Sequence, residues 1–370
     1  MTSYRKLLLA SSLMVLAGCN SGSGSDSKTT ITKQVTKPAA DYNFNNEEIT
    51  ELYINRDKVL NSVNFYYNGQ VYDRVLFGEE LDDNITVIRL MDKYAETIDL
   101  MINRNEEAEC IIYSDNQYSD KFDCGKEVQS VGEETTVIQS KSVNDHTPIL
   151  VEYNNEDFEY LSHIGSTVLT AINEYDQVDI ETSAAFKNFL RYNFGQDVSE
   201  RDQNSSTLGI STFIQLGNIV QTYTGREMLL KFDNIINGSS DDDVNMYTGL
   251  MIRNHEIATM VTKNGSVFSG GTDLFSAGVE RTLERKAPTN AIELNKQVGV
   301  HSWSDGEKTA KEIPYSDVSH RKQATYFKTM LGDKGVDFYM YTLDSAPASG
   351  EHWVTKKESD KYNLIHNIVD

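Results

Sequence analysis

A β-rich N-terminal domain followed by an α/β C-terminal domain, its sheet mostly parallel and flanked by helices, is the fold class that this 370-residue sequence predicts. Two observations carry the prediction. Between residues 43 and 153 short apolar runs alternate, as in "NSVNFYYNGQVYDRVLF", where Val63, Phe65 and Tyr67 lead into Asn68-Gly69 and Val71 and Val75 lead away. Asn-Gly between such runs is a strong hairpin signal. From residue 208 onward strand-like and amphipathic helical runs alternate, the pattern of parallel strands joined by right-handed crossovers.

The elements follow in order. Residues 1–18 have Arg5 and Lys6 ahead of an apolar run from Leu7 to Ala17, too short to span a bilayer and placed as an export signal. Residues 19–42 are rich in Ser, Gly, Thr and Lys and read as a flexible tether. In the β domain, 43–153, "NITVIRLM", "TIDLMI" and "ECIIY" continue the strand pattern after the hairpin. Residues 154–207 read as a helical connector and linker, with Phe158, Leu161, Ile164, Val168 and Ile172 at helical spacing and Gly195 as a stop.

Within 208–370, "ISTFIQLGNIV", "EMLLKF", "EIATMVT" and "QVGVHSW" read as strands. "DDDVNMYTGLMIRN" and "IPYSDVSHRKQATYFKTMLG" read as helices, and Ser269 opens another through Leu274 and Phe275. Phe338, Tyr339 and Tyr341 form an aromatic cluster suited to a core, the alternatives being a substrate groove or the face of a homo-oligomer.

Composition excludes several functions. A net charge of −22 repels nucleic-acid phosphates, so no nucleic-acid role is expected, and solubility accounts for the acidic excess. Three cysteines are present. Cys110 and Cys124 bracket a hairpin-like segment and in an exported protein are expected to form a disulfide worth about 3 kcal/mol. No Walker loop or dinucleotide fingerprint occurs, and no cofactor is expected. A metal is not expected either: His255-Glu256 lacks a histidine at 259, and the Asp241-Asp242-Asp243 run lacks the glycine and terminal glutamate of a calcium loop.

Three features fall at the carboxyl ends of predicted strands, where open α/β sheets gather ligands. They are the turn "NGSSDD", Ser269 in "NGSVFSGGTDLFSAG", and His301 in "QVGVH". A serine, a histidine and a turn with free backbone N–H groups are the parts that acyl transfer needs. Each also has a plain structural explanation: Ser269 as a helix cap, His301 as a packing residue, the aspartates as partners of a helix dipole.

Two resemblances attach to these motifs. The ending Leu16-Ala17-Gly18-Cys19 resembles a bacterial lipobox, which implies a lipid on Cys19 as membrane anchor; Asn20 after it implies the outer membrane of the cell envelope, facing the periplasm. The ordered run from "KFDNIINGSSDDD" through "NGSVFSGGTDLF" and "GVHSW" to "HWVTKKESDKYNLI" resembles the Clp protease/crotonase superfamily, in particular an exported Clp-protease-like branch. The resemblance covers residues 208–370 and leaves the β domain outside it. It implies a serine hydrolase acting on a peptide or acyl substrate, with Ser269 as nucleophile, His301 as base, backbone N–H groups near Ser240 and at Gly270 as the oxyanion hole, and Glu351 or Asp344 as the third member. Ser239-Ser240-Asp241 replaces the family's Pro-Gly-Gly turn and is expected to crowd the oxyanion site with Asp241. The insertion "ERKAPTNAIELNK" lengthens the spacing from Ser269 to His301. Ser269, Asp344 and His352 have the chain order of an α/β-hydrolase triad, but Val267 stands where the G-x-S-x-G elbow requires glycine. The competing expectation is a non-catalytic envelope lipoprotein that keeps the fold for binding or assembly.

Overall fold

The computed structural model describes residues 35–45, 47–48, 57–82, 84–104, 109–115, 117–125, 128–131, 134–187 and 204–370. The signal segment and Cys19 lie outside the described residues. Three sheets are present among those described.

The first sheet has nine antiparallel strands between Val63 and Asn154. Val63–Tyr67 pairs with Gln70–Asp82 across Asn68-Gly69, and both turn residues have positive φ (51° and 76°), the geometry the Asn-Gly pair favours. Alternate residues Val63, Phe65 and Tyr67 are buried. Phe65 stacks on Tyr67 and Phe122 within one apolar core. Cys110 and Cys124 are disulfide-bonded with their Cα atoms 5.7 Å apart, tying the ends of the hairpin formed by Glu109–Ser114 and Gln117–Asp123. Serine at both cysteines is expected to lower stability to urea by about 3 kcal/mol, because the reduced unfolded chain regains the entropy of the closed loop. An unchanged denaturation midpoint would contradict that assignment.

The long helix expected from residue 156 is replaced by two short turns and a hairpin. Asn155–Phe158 is α-helical and Glu159–Ile164 is 3-10, and the spacing of three that buries Phe158, Leu161 and Ile164 suits the tighter helix. Gly165, at φ 84°, ends it. Its Cβ would lie 2.7 Å from the Gly209 nitrogen, so glycine is also required by close approach. Val168 and Ile172 belong instead to the strand Thr167–Glu174, paired with Gln177–Ala184. Ile172 is 37% exposed, so it was never on a buried helical face. The reverse correction applies to "ISTFIQLGNIV": Ile210–Thr222 is a helix, burying Phe213, Leu216, Ile219 and Val220 at a three-to-four spacing that outweighs their β-branched content.

The seam between the nine-stranded sheet and the rest is marked by the bond from Gly78 N to Gly165 O (3.1 Å). Beside it, burial pushes the Glu79 carboxyl up to about 7 while a hydrogen bond with Ser166 pulls the other way. A carboxyl raised in the folded state binds its proton there more tightly than in the unfolded chain. Its contribution is therefore full below the ordinary value of 4.5 and is lost as pH rises toward about 7. Glu79→Gln is expected to flatten the fall in stability between pH 5 and 7 and to gain about 2 kcal/mol at pH 8. Identical pH profiles for both proteins would refute this.

The remaining sheets are built by a repeat of strand, strand and helix. Glu227–Phe232, Ala258–Val261 and Arg281–Glu284 enter a six-stranded sheet between Gln177–Ala184 and Asn367–Val369, all four pairings parallel. After each, the chain adds a short strand to a five-stranded sheet: Ile235–Ser239, Ser266–Phe268 and Val298–Val300, flanked by Ser205–Leu208 and His352–Trp353. Helices Asp242–Asn254 and Gly270–Ser276 follow the first two of these short strands. The simple strand-helix alternation expected from the sequence thus becomes two sheets, because strands of three to five residues are too short to show a period. Gly265 allows the tight turn before Ser266, since a Cβ there would lie 1.8 Å from Phe232 O. One apolar core, including Leu230, Phe232, Ile236, Val267, Leu274 and Phe275, joins both sheets to the helices.

The end of the segment expected as a flexible tether packs on this region. Tyr42 N donates to Thr325 Oγ1 (2.9 Å), and Lys37 and Asp41 pair with Asp337 and Arg321.

Candidate active site

Ser269 sits between the strand Ser266–Phe268 and the helix Gly270–Ser276, at φ 54° and ψ −123°. A serine pays roughly 1–3 kcal/mol for such a conformation, and it persists because its surroundings over-determine it. Ser269 N donates to Gly299 O (3.2 Å), Thr272 Oγ1 donates to Gly299 O (2.6 Å), and Asn245 Nδ2 holds Gly270 O (2.9 Å). Ser269 makes no side-chain capping bond, which removes the plain helix-cap explanation. Its Oγ makes no hydrogen bond among the described residues and lines a cavity of about 40 Å³.

His301 lines the same cavity. Its Nδ1 lies 2.7 Å from Ala348 O, and because a carbonyl can only accept, Nδ1 carries the hydrogen and Nε2 keeps a lone pair. The ring packs on Phe268, 4.8 Å between centroids. Ser269 and His301 thus share one small cavity without being hydrogen-bonded to each other, a looseness common before substrate enters.

The expected third members are elsewhere. Glu351 is held by Lys296 (2.7 Å) and Asp344 by Lys311 (2.7 Å), both carboxylates at least half exposed. A backbone carbonyl orients His301 in their stead, and no side-chain spacing in the sequence could signal that. His352 bonds Glu358 (3.1 Å), so the alternative set of Ser269, Asp344 and His352 is not assembled.

The oxyanion donors also need correction. Ser240 N is already bonded to Leu208 O (2.9 Å) and is not free to bind an oxyanion. Gly270 N, at the first position of its helix, has no carbonyl partner among the described residues. Asp241 does not crowd the site: its carboxylate caps the helix Asp242–Asn254 by accepting from Val244 N (3.0 Å).

Two carboxyl groups that the sequence reading passed over face the cavity. Asp242 accepts from Ser239 Oγ (2.6 Å), and burial within the surrounding protein raises its pKa although one side stays open to solvent. Asp273 makes no side-chain hydrogen bond among the described residues. Enclosure by protein, and then the nearby charge of Asp242, push it well above the carboxylate range. Four residues separate Ser269 from Asp273, one helical turn, and that spacing was the available signal. With its pKa raised that far Asp273 holds its proton, and a cation entering beside it would favour the ionised form, the proton leaving to solvent.

Behind the cavity a buried relay fixes the wall. Trp303 Nε1 donates to Tyr339 OH (2.9 Å), which lies 2.7 Å from His320 Nδ1, and His320 Nε2 donates to Ala310 O (2.9 Å). Burial lowers the His320 pKa, so the ring stays neutral with its hydrogen on Nε2. Among the described residues no group of three or more His, Cys, Asp or Glu side chains could hold a metal ion.

Solved structures of the enoyl-CoA hydratase/crotonase fold are similar to part of this chain. Enoyl-CoA hydratase from Bacillus anthracis is 13% identical, with 54% of this chain and 69% of that chain covered and a TM-score of 0.32. For enoyl-CoA hydratase from Thermoplasma volcanium the identity is 10%, the coverage 55% and 73%, and the TM-score 0.33. Methylmalonyl CoA decarboxylase gives 10%, 55% and 68%, and 0.34. No family model and no curated protein matches the chain.

Proposed function

We propose that this protein is a serine hydrolase acting on a peptide or acyl substrate, carried in the bacterial envelope by a lipid on Cys19. The observation that carries the catalytic reading is the strained Ser269 at a strand-to-helix turn, its hydroxyl without a hydrogen bond among the described residues and lining the cavity shared with His301. In the reaction His301 Nε2 takes the Ser269 proton as Oγ bonds to the substrate carbonyl carbon. Gly270 N–H holds the oxyanion. The bond to the leaving group then breaks as His301 returns the proton to it, and water, activated by the same nitrogen, releases the acid and frees Ser269.

Support for export is the Leu16-Ala17-Gly18-Cys19 ending together with the Cys110–Cys124 disulfide, a bond suited to an oxidising compartment. Among the described residues no helix is long and apolar enough to cross a membrane. Cys19→Ser is expected to release the protein from the membrane fraction, and retention there would refute the anchor.

A fluorophosphonate probe tests the catalytic reading. Wild-type protein should be labelled, Ser269→Ala should not, and His301→Ala should label at least 100-fold more slowly, within the range of general-base effects. Equal labelling of wild type and Ser269→Ala, or none in either, favours a non-catalytic role in binding or assembly.

A further inference from the structure

The walls of the Ser269 cavity carry more information than acyl transfer requires. Asp242 and Asp273 both face it, and among the described residues neither is paired with a lysine or arginine, whereas adjacent Asp243 is bound by Lys322 (2.8 Å). The Asp273 carboxyl makes no hydrogen bond among the described residues and is enclosed by protein except where it lines the cavity. Trp303 and Tyr339 line it as well. Carboxylates beside aromatic rings form a surface that recognises a cationic nitrogen.

Proximity decides which cation fits. The space that Ser269 shares with both carboxyl groups is narrow, about 40 Å³ against about 480 Å³ in the neighbouring groove, so a cation held there sits beside the nucleophile. The nitrogen must therefore be attached next to the reacting carbonyl. Asp273 N donates to Ser269 O (3.2 Å) and both side chains line the cavity, so a carbonyl at Ser269 and a cation at Asp273 belong to one short unit, an α-amino carbonyl group. The leaving part has room in an open groove of about 480 Å³ lined by Asn237, Phe268, Gly350 and Trp353, which begins at the residue before Ser269.

We propose that the cavity binds the free α-ammonium group of an aminoacyl amide or ester, held between Asp242 and Asp273, so that the enzyme hydrolyses substrates with an unblocked amino end. This rests on Ser269 as the nucleophile. Because the empty cavity favours the protonated form of Asp273, entry of the cation should release a proton to buffer.

The test is binding of L-alaninamide and N-acetyl-L-alaninamide to the full-length Ser269→Ala protein in detergent, which cannot turn either over. Tryptophan fluorescence follows binding and calorimetry in two buffers counts protons. The expected result is at least ten-fold tighter binding of the free amine, with proton release, and loss of the preference in Asp242→Asn and Asp273→Asn versions checked for folding by circular dichroism. Equal affinity for the two amides, or no binding of either, overturns the proposal. Fluorophosphonate labelling of wild type separates the two readings. A labelled protein with no amine preference keeps the nucleophile and loses the ammonium site. An unlabelled protein that still prefers the amine keeps the cavity as an ammonium site and loses hydrolysis.

Discussion

Ser269→Gly should yield a protein that is more stable and inactive. At φ 54° a serine is strained and a glycine is not, while glycine costs some extra entropy in the unfolded chain, for a net gain of about 1 kcal/mol. Removing the nucleophile should lower ester hydrolysis by about 10⁴-fold or more, as expected when the residues of a catalytic unit act together. Ser269→Ala should lose activity equally without the gain in stability, since alanine is no freer at positive φ. Comparing urea midpoints and hydrolysis rates for the three proteins checks both halves. A serine kept for packing alone would give a stabilised glycine variant with no lost activity to explain.

The second large effect is expected at Gly270→Ala. A Cβ there would lie 2.4 Å from Ser239 Oγ, 2.7 Å from Ser239 Cβ and 2.8 Å from Ser239 N. The hydroxyl can rotate away, but the Cβ and the nitrogen belong to the strand Ile235–Ser239, so strand and helix must part. The cost is about 3 kcal/mol, at the upper end for overpacking. The same displacement moves the Gly270 N–H from the carbonyl oxygen, so probe labelling should fall about 10²–10³-fold at temperatures where the variant is folded. Unchanged stability would show that the close contact is not rigid; unchanged labelling would remove Gly270 from the oxyanion hole.

How much of this was legible in the sequence depends on element length and on which atoms do the work. The Asn68-Gly69 hairpin and the helices Asp242–Asn254 and Val318–Leu331 were readable because each carries its signal locally. Ile235–Ser239 and Ser266–Phe268 were not, since five and three residues do not establish a period. Without them the two sheets merged into one, although Ser269 still fell at a strand end. In the site, Ser269 and His301 line one cavity because the strand ends that carry them converge. The expectations that failed depended on backbone atoms. Ala348 O replaces Glu351 and Asp344 at His301, and Leu208 O occupies the Ser240 N–H. Asp241 looked obstructive because a capping aspartate and a cavity-facing one are indistinguishable in "DDD"; the helix start turns Asp241 onto Val244 N and leaves Asp242 toward the cavity.

The central claim is that Ser269 is a nucleophile activated by His301. Peptide mapping by mass spectrometry of wild-type protein treated with a fluorophosphonate tests it most directly. A single adduct is expected, on the peptide containing Ser269, with a rate of formation that collapses in His301→Ala. An adduct on a different residue, or no adduct on a folded protein, would contradict it.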